Sequence, residues 1–179
     1  MQYRSIAIIG AVVLSLLIVS ISVAMPKTQG IYQVPYNTIK YHQLSKDTKK
    51  QIDCLAKNMY HEAAYEPKEG WIAVAMVTLN RVKSGNYASS VCDVVYQKTG
   101  RTYQFSWVGL KNKLSKVNYT VYEDILELAT LLYVNRDRVQ DNTGGATFYH
   151  ANYVNPNWKG LQRTKQIGQH IFYKSPQDI

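Results

Sequence analysis

Acidic residues are scarce in this sequence, which holds 12 Asp and Glu against 21 Lys and Arg and carries a net charge of +9. Such a charge favours an anionic partner: nucleic acid, lipid head groups or the acidic polymers of a cell envelope. The basic residues are scattered, and the sequence has neither an Arg-rich helix nor a nucleic-acid-binding motif. We therefore expect no nucleic-acid partner, although charge alone does not choose among the others.

Cysteine is almost absent, because Cys54 and Cys92 are the only two. There is no Cys-x-x-Cys pair and no metal-type spacing. In an oxidising compartment an even pair predicts one disulfide, which would close a loop of roughly 40 residues and stabilise the fold by a few kcal/mol. Two separate buried thiols are the alternative.

Charge is missing altogether from residues 5–25. As a helix rising about 1.5 Å per residue, this run just crosses a hydrocarbon layer of roughly 30 Å. It also contains Ser22-Val23-Ala24, a small-x-small pattern typical of a secretory cleavage site. Residues 1–25 are therefore predicted to be a signal-anchor in the inner membrane or a cleaved signal peptide. Both place the rest of the chain on the cell-wall (periplasmic) side.

Residues 26–46 show no sustained hydrophobic period and contain two prolines, which is typical of a tether. Residues 47–179 then form a predicted α+β domain that is predominantly helical. Its first helix starts near Ser45-Lys46-Asp47 and runs toward Pro67, which either ends it or opens the next helix.

A second helix is predicted over 71–82, closing at Gly85, and its apolar surface on all sides is typical of the centre of a domain. A third is predicted over 121–134. Between them, 91–96 and 104–107 are either strands or irregular. The stretches 146–149 and 171–173 are predicted to be extended.

With so few carboxylates, each can be considered as a catalytic acid. Most lie on predicted polar faces, at helix starts, beside turns or in the tail, where acids have ordinary capping and solvation roles. Glu62 and Glu66 are left, and Glu66 comes second because it precedes Pro67, which disfavours helical geometry at that position. On a helical wheel Glu62 lies about 20° from Leu55 and about 60° from Met59, at the edge of the predicted buried stripe. A carboxyl desolvated there has a raised pKa and keeps its proton near neutral pH. Cleavage of a glycosidic bond needs such an acid, whereas the alternative role is an ion pair or a helix cap.

Other catalytic motifs are missing. The fourth residue after His61 is Tyr65, so the His-Glu-x-x-His zinc motif is incomplete. There is no Gly-x-Ser-x-Gly motif, and a disulfide accounts better for the cysteines than a nucleophile does. We expect neither a metal nor a cofactor.

Six blocks of the sequence, including Tyr60-His61-Glu62-Ala63 and Thr147-Phe148-Tyr149-His150, occur in the order found in a known family. They resemble the cell-wall hydrolases of the SleB type, typified by the germination-specific spore cortex-lytic enzyme. The blocks lie at 54–63, 66–82, 91–97, 104–107, 143–150 and 167–172.

The resemblance implies a lysozyme-like fold and cleavage of peptidoglycan between N-acetylmuramic acid and N-acetylglucosamine, with Glu62 in the position of the catalytic glutamate. Two departures are noted: Ala64-Tyr65 precede Glu66-Pro67 where the family often has a glycine, and we expect no separate peptidoglycan-binding domain of the kind that the spore enzymes have. A membrane run followed by a compact catalytic domain is more typical of a phage or prophage lysis protein, an endolysin, held at the inner membrane.

The expected mechanism starts with proton donation from Glu62 to the glycosidic oxygen, as an oxocarbenium-like centre develops at the muramic acid carbon. Without a second carboxylate, Glu62 would then act as base on the sugar's own 6-hydroxyl, as in a lytic transglycosylase. If Glu66 or Asp93 reaches the other face of the sugar, the enzyme would instead hydrolyse the bond as a muramidase.

Phenylalanine is rare, with 3 Phe against 15 Tyr, and tyrosine's ring and hydroxyl suit a groove that grips sugars or peptides. The predicted substrate contacts are Gln104, Trp107, Tyr149 and His150, each with a core or turn position as the alternative.

Two other functions stay open: a non-catalytic, membrane-anchored peptidoglycan-binding protein, and a peptidase or amidase acting on the stem peptides.

Overall fold

The computed structural model describes residues 39–113 and 117–178. The predicted membrane segment 5–25 and the tether as far as residue 38 lie outside these residues. Within the described ranges, no helix has the length and apolar character needed to cross a membrane. The last part of the tether range contacts the domain, because the Tyr41 hydroxyl donates a hydrogen bond of 2.6 Å to Asp53.

The helical part of the domain contains α1 (Lys46–Ala63), α2 (Lys68–Ser84), α3 (Val91–Tyr96) and α4 (Tyr119–Val134). Ser45 caps α1 by accepting a hydrogen bond from the backbone N–H of Thr48. Pro67 is the residue before α2, so it opens that helix. Gly85 ends α2 with φ of 72°, a left-handed conformation that glycine adopts without strain. The three helices predicted from hydrophobic periodicity are confirmed.

Helix α3 corrects the expectation that 91–96 is a strand or irregular. The Ser90 side chain accepts a hydrogen bond from the backbone N–H of Asp93 and donates one to the Asp93 carboxylate, which starts a helix. Val91, Val94 and Val95 are then buried on one side of it. In segment 104–107 the first two residues are irregular, which was one of the two expectations, and the last two belong to a 3₁₀-helix at Ser106–Lys113.

The strands form two small antiparallel sheets. One is a hairpin of β1 (Lys98–Thr99) and β2 (Thr102–Tyr103). The other has three strands in the order β3-β5-β4. These strands are β3 (Phe148–Ala151), β4 (Gln162–Ile167) and β5 (His170–Lys174). The extended stretches predicted at 146–149 and 171–173 correspond to β3 and β5, whereas β4 was not predicted because most of its side chains are exposed and polar.

Helix α2 is the central element, as its apolar sequence predicts. Ile72, Val74 and Ala75 are fully buried in the main core, together with side chains of α1, α3 and α4. On another side of α2, Ala73 and Val77 pack against Phe172 of β5. The three-stranded sheet is therefore attached to the helical part of the domain through α2.

The predicted disulfide between Cys54 and Cys92 is present and joins α1 to α3 across a sequence separation of 38 residues. Both cysteines are buried in the main core. The bond restricts the unfolded chain, and a loop of this length is worth about 3 to 4 kcal/mol.

Replacing both cysteines by serine should lower the free energy of unfolding by about 3 kcal/mol, because the loop is no longer closed in the unfolded state. Urea unfolding of the full chain, with and without reductant, measures this difference. Reductant should destabilise the parent protein and leave the double-serine variant unchanged. Equal sensitivity of the two proteins to reductant would contradict the assignment.

Candidate active site

Glu62 lies in the last turn of α1 and is partly buried. Its neighbours Met59 and Ala63 are buried in the core, so the wheel position predicted for Glu62, at the edge of the buried stripe, is confirmed. The hydroxyl of Tyr149 donates a hydrogen bond of 3.0 Å to Glu62 Oε2. This contact brings together the end of α1 and strand β3, which are 87 residues apart in sequence.

The position of Tyr149 follows from the packing of the sheet. Tyr149 pairs with Phe172 across β3 and β5, and the two rings lie 5.6 Å apart. Since Phe172 is fully buried against α2, the sheet holds Tyr149 on its inner face, next to Glu62.

Burial raises the pKa of Glu62, while the hydrogen bond from Tyr149 and the positive charge of Arg81 partly counteract that rise. The net effect is upward, as the sequence predicted. The carboxyl therefore holds its proton at a higher pH than an exposed glutamate does. The pKa of Tyr149 is raised well above its usual value by burial and by the charge of Glu62, so this side chain remains a hydrogen-bond donor.

Arg81 is a site residue that sequence reasoning missed. It is only 4% exposed, and its Nε donates a hydrogen bond of 2.7 Å to the backbone oxygen of Thr147, next to β3. Its guanidinium lies 5.1 Å from the ring centre of Phe105 and 5.8 Å from that of Phe148. The sequence contained one signal for this role: Arg81 is a cation within an otherwise apolar helix. A buried cation requires a specific partner.

His170 was also missed, although it lies within one of the family-like blocks. Its ring contacts Tyr149 edge-on, with the ring centres 5.1 Å apart. Burial lowers the pKa of His170, with Glu66 opposing and His150 adding to that shift. Its buried Nδ1 has no hydrogen-bond partner among the described residues. The lowered pKa favours a neutral imidazole, which packs edge-on against Tyr149.

Trp107 packs against His61, the residue that precedes Glu62. Its indole stacks on His61 with ring centres 4.4 Å apart, and its N–H donates a hydrogen bond of 2.9 Å to Asn58. Asn58 in turn donates to Thr78 of α2. Because Trp107 is 6% exposed and its N–H is engaged, its place is that of a packing residue beside the last turn of α1. Its contact with substrate remains a prediction.

Two other predicted substrate contacts form hydrogen bonds with residues other than Glu62. Gln104 donates a hydrogen bond of 2.8 Å to Thr99 in the small hairpin. His150 follows Tyr149 on β3 and therefore lies on the opposite face of the sheet, where its Nε2 is 3.0 Å from the Tyr173 hydroxyl. Of the four predicted contacts, only Tyr149 hydrogen-bonds to Glu62, and the roles of the others stay predictions.

Glu66 and Asp93, the two carboxylates considered as helpers, both have structural hydrogen bonds. Glu66 Oε2 accepts a hydrogen bond of 3.0 Å from the backbone N–H of Gln169, in the turn between β4 and β5. A Cβ atom on either Gly70 or Gly168 would overlap the Glu66 side chain, so both glycines make room for it. Asp93 belongs to the cap of α3.

The described residues contain no group of three His, Cys, Asp or Glu side chains that could hold a metal ion. A cavity of about 800 Å³ lies elsewhere, near the C-terminal half of α2, and its lining includes Leu79, Lys83 and Arg136 but not Glu62. The site around Glu62 is instead formed where α1 meets the inner face of the sheet. Its chemistry is that of a partly buried carboxyl with a tyrosine donor and a nearby buried cation.

Residues 65–173, more than half of the chain, match the family described as Cell Wall Hydrolase. The match begins three residues after Glu62, so it includes Arg81 and Tyr149 but not Glu62 itself. Two curated relatives, from Halalkalibacterium halodurans and Bacillus subtilis, are named spore cortex-lytic enzyme. Each is 30% identical to this chain and matches 68% of it. The matches cover only 34% and 36% of those relatives, so the chain spans about a third of their length.

Solved structures agree with this family. The catalytic domain of the Bacillus cereus SleB protein matches with a TM-score of 0.53 and 28% identity, over 70% of this chain and 91% of that one. The catalytic domain of the germination-specific lytic transglycosylase SleB from Bacillus anthracis gives 0.52 and 28%, over 79% of this chain and 100% of that one. The predicted α+β, lysozyme-like domain is therefore confirmed as the fold of the SleB catalytic domain. In sequence and in fold, this chain belongs to the cell wall hydrolase family.

Proposed function

We propose that this chain cleaves the glycan strands of peptidoglycan between N-acetylmuramic acid and N-acetylglucosamine, with Glu62 as the general acid. The observation that carries this proposal is the hydrogen bond between Tyr149 and a partly buried Glu62 whose pKa burial raises. Family membership supports peptidoglycan as the substrate. A glycosidic oxygen leaves readily only when it is protonated, and Glu62 is suited to supply that proton.

The two oxygens of the Glu62 carboxyl have different environments. Oε2 accepts the hydrogen bond from Tyr149, whereas Oε1 has no hydrogen-bond partner among the described residues. In the protonated acid, Oε2 is therefore suited to be the carbonyl oxygen, and Oε1 to carry the proton toward the sugar. Tyr149 would act as a positioning residue that selects the oxygen from which the proton leaves.

The same surroundings favour the carboxylate once the proton has gone. The Tyr149 hydroxyl still donates to it, and the charge of Arg81 lowers its free energy. The carboxylate also lies next to the oxocarbenium-like centre, which develops positive charge as the bond to the departing N-acetylglucosamine breaks. The opposing contributions to the pKa of Glu62 thus suit a group that both gives up and regains a proton.

We infer that Glu62 then acts as base. The 6-hydroxyl of the muramic acid residue gives its proton to the Glu62 carboxylate, and its oxygen bonds to the anomeric carbon, giving a 1,6-anhydro product. The structural hydrogen bonds of Glu66 and Asp93 support this route, because each carboxylate already has a partner. The similar Bacillus anthracis domain is titled a lytic transglycosylase, which agrees with it. Hydrolysis by a water that Glu66 activates is the alternative.

The cellular setting is proposed from the sequence. Residues 1–25 would serve as a signal-anchor or signal peptide and 26–46 as a tether, placing the domain at 47–179 on the cell-wall side. A net charge of +9 suits attraction to an anionic wall. This arrangement fits a lysis protein of phage or prophage origin held at the inner membrane, or a secreted enzyme that remodels the wall.

Glu62→Gln should lower the release of muropeptides from purified sacculi by about a thousandfold, because glutamine cannot donate the proton. Its amide oxygen can still accept the hydrogen bond from Tyr149, so binding to sacculi should be kept. Glu123→Gln, at an exposed position on α4, is the matched control and should keep full activity. Unchanged release by Glu62→Gln would contradict the mechanism.

The products formed by the parent enzyme identify the attacking group. Mass spectrometry of the digest should show 1,6-anhydro ends, which are lighter than reducing ends by one water. In water enriched with oxygen-18, these ends should carry no label. Labelled reducing ends would assign hydrolysis and overturn the second step, whereas new free amino groups would indicate a peptidase or amidase.

Glu62 should also make stability depend on pH. Because folding raises its pKa, the folded state favours the protonated form, and this stabilisation is lost as pH rises from the unfolded value through the folded value. Glu62→Gln should therefore be more stable than the parent at pH 8 by a margin that shrinks toward pH 4. Thermal unfolding at both pH values measures this margin, and Glu123→Gln should show none. A constant margin for Glu62→Gln would mean that the carboxyl is not desolvated.

A further inference from the structure

The three-stranded sheet has a second face, opposite the one that carries Tyr149 and Phe172. Side chains alternate across a strand, so the neighbours of Tyr149 and Phe172 lie on this other side. The strand register groups them into two rows. We call this surface the outer face; its rows are Phe148, Tyr173 and Arg163, then His150, Ile171 and Gln166.

Trp158, in the loop between β3 and β4, lies against this outer face. Its ring centre is 5.7 Å from that of Phe148, 5.5 Å from His150 and 5.9 Å from Tyr173, all in edge-on geometry. Even so, 43% of Trp158 remains exposed. An indole fixed by three neighbours and still open to solvent loses little freedom when a sugar ring stacks on it.

The rings beneath Trp158 are themselves fixed. His150 stacks on Tyr173 with ring centres 5.3 Å apart, and its Nε2 lies 3.0 Å from the Tyr173 hydroxyl. Neither side chain hydrogen-bonds to Glu62, whose partner is Tyr149. The outer face is therefore a preformed aromatic surface around Trp158, and its contact with the site is limited to the packing of Phe148 against Arg81.

The segment that forms the sheet and its loops carries charged residues of one sign. Residues 142–177 contain no Asp or Glu, but they include Lys159, Arg163, Lys165 and Lys174. Arg163 shares the row of Tyr173, and its guanidinium bonds to the neutral side chain of Gln166 at 3.0 Å. Arg163 and Trp158 are both neighbours of Tyr173. An exposed guanidinium and an open indole that share a neighbour suit a ligand with a carboxylate next to a sugar ring.

We propose that the outer face binds a second stretch of peptidoglycan, with a sugar ring stacked on Trp158 and a stem-peptide carboxylate on Arg163. This inference rests on the proposed function for the identity of the polymer. Because Tyr149 and His150 point to opposite sides of β3, the strand bound here is separate from the one being cut. The outer face would keep the domain on the wall between successive cleavages.

Binding without cleavage tests this proposal. In the full chain carrying Glu62→Gln, co-sedimentation with purified sacculi should weaken about fivefold to tenfold on adding Trp158→Ala or Arg163→Gln, as for loss of one stacking or one charge-assisted contact. The controls are Tyr119→Ala, which removes a ring that is 76% exposed on α4, and Arg138→Gln, at an exposed position after α4. Both should bind as the Glu62→Gln parent does.

Loss of folding is separated from loss of binding by Arg163→Glu, which changes only an exposed side chain. It should weaken binding more than Arg163→Gln while keeping the parent's unfolding temperature. If Trp158→Ala, Arg163→Gln and Arg163→Glu all bind sacculi like the parent, the proposal is wrong, whatever the enzyme's activity.

The source of the anionic group is tested on treated sacculi. Removing phosphate polymers with hydrofluoric acid should leave binding unchanged, whereas amidating the stem-peptide carboxylates should abolish the difference between Arg163→Gln and its parent. Loss of binding after hydrofluoric acid, or Trp158-dependent binding to phosphatidylglycerol vesicles, would assign the face to another ligand and overturn the proposal. The proposed cleavage is tested separately. If it is wrong, the protein with an intact Glu62 releases no muropeptides from sacculi.

Discussion

The hydrogen bond between Tyr149 and Glu62 joins the two parts of this domain at the place where the chemistry is proposed. Its donor belongs to a sheet that contacts the helices through Phe172, packed on Ala73 and Val77 of α2. Its acceptor lies in the last turn of α1, which Met59 and Ala63 attach to the main core. A shift of the sheet on α2 would therefore move Tyr149 relative to Glu62. The apolar contact at Phe172 thus determines the geometry of the hydrogen bond between Tyr149 and Glu62.

The surroundings of Glu62 balance two opposite requirements. Burial favours the protonated acid, whereas the Tyr149 hydroxyl and the charge of Arg81 favour the carboxylate. Burial alone would give an acid that holds its proton too tightly, and donors alone would give a carboxylate with no proton to donate. Arg81 can act in this way because its guanidinium is itself held by Thr147 and by the surrounding aromatic rings.

Local patterns predicted the parts of the structure that depend on neighbouring residues. Periodicity located three of the helices, and one wheel position singled out Glu62, because burial on a helix repeats with the turn. The partners of Glu62 depend on contacts between distant segments, with 87 residues separating it from Tyr149, so no local pattern contained them. Helix α3 was missed because the cap formed by Ser90 and Asp93 decides its structure, and β4 because an exposed edge strand lacks apolar alternation.

Whether burial makes Glu62 the catalytic acid is decided by titrating its carboxyl in the folded protein. Carbon-13 NMR of protein labelled at the glutamate side chains, assigned by comparison with Glu62→Gln, gives this pKa. Because burial favours the protonated acid, the midpoint should lie above the ordinary glutamate value of 4.5, and muropeptide release should decline over the pH range in which Glu62 loses its proton. A midpoint at or below 4.5, or release that persists unchanged where Glu62 is ionised, would contradict the claim that burial makes Glu62 the catalytic acid.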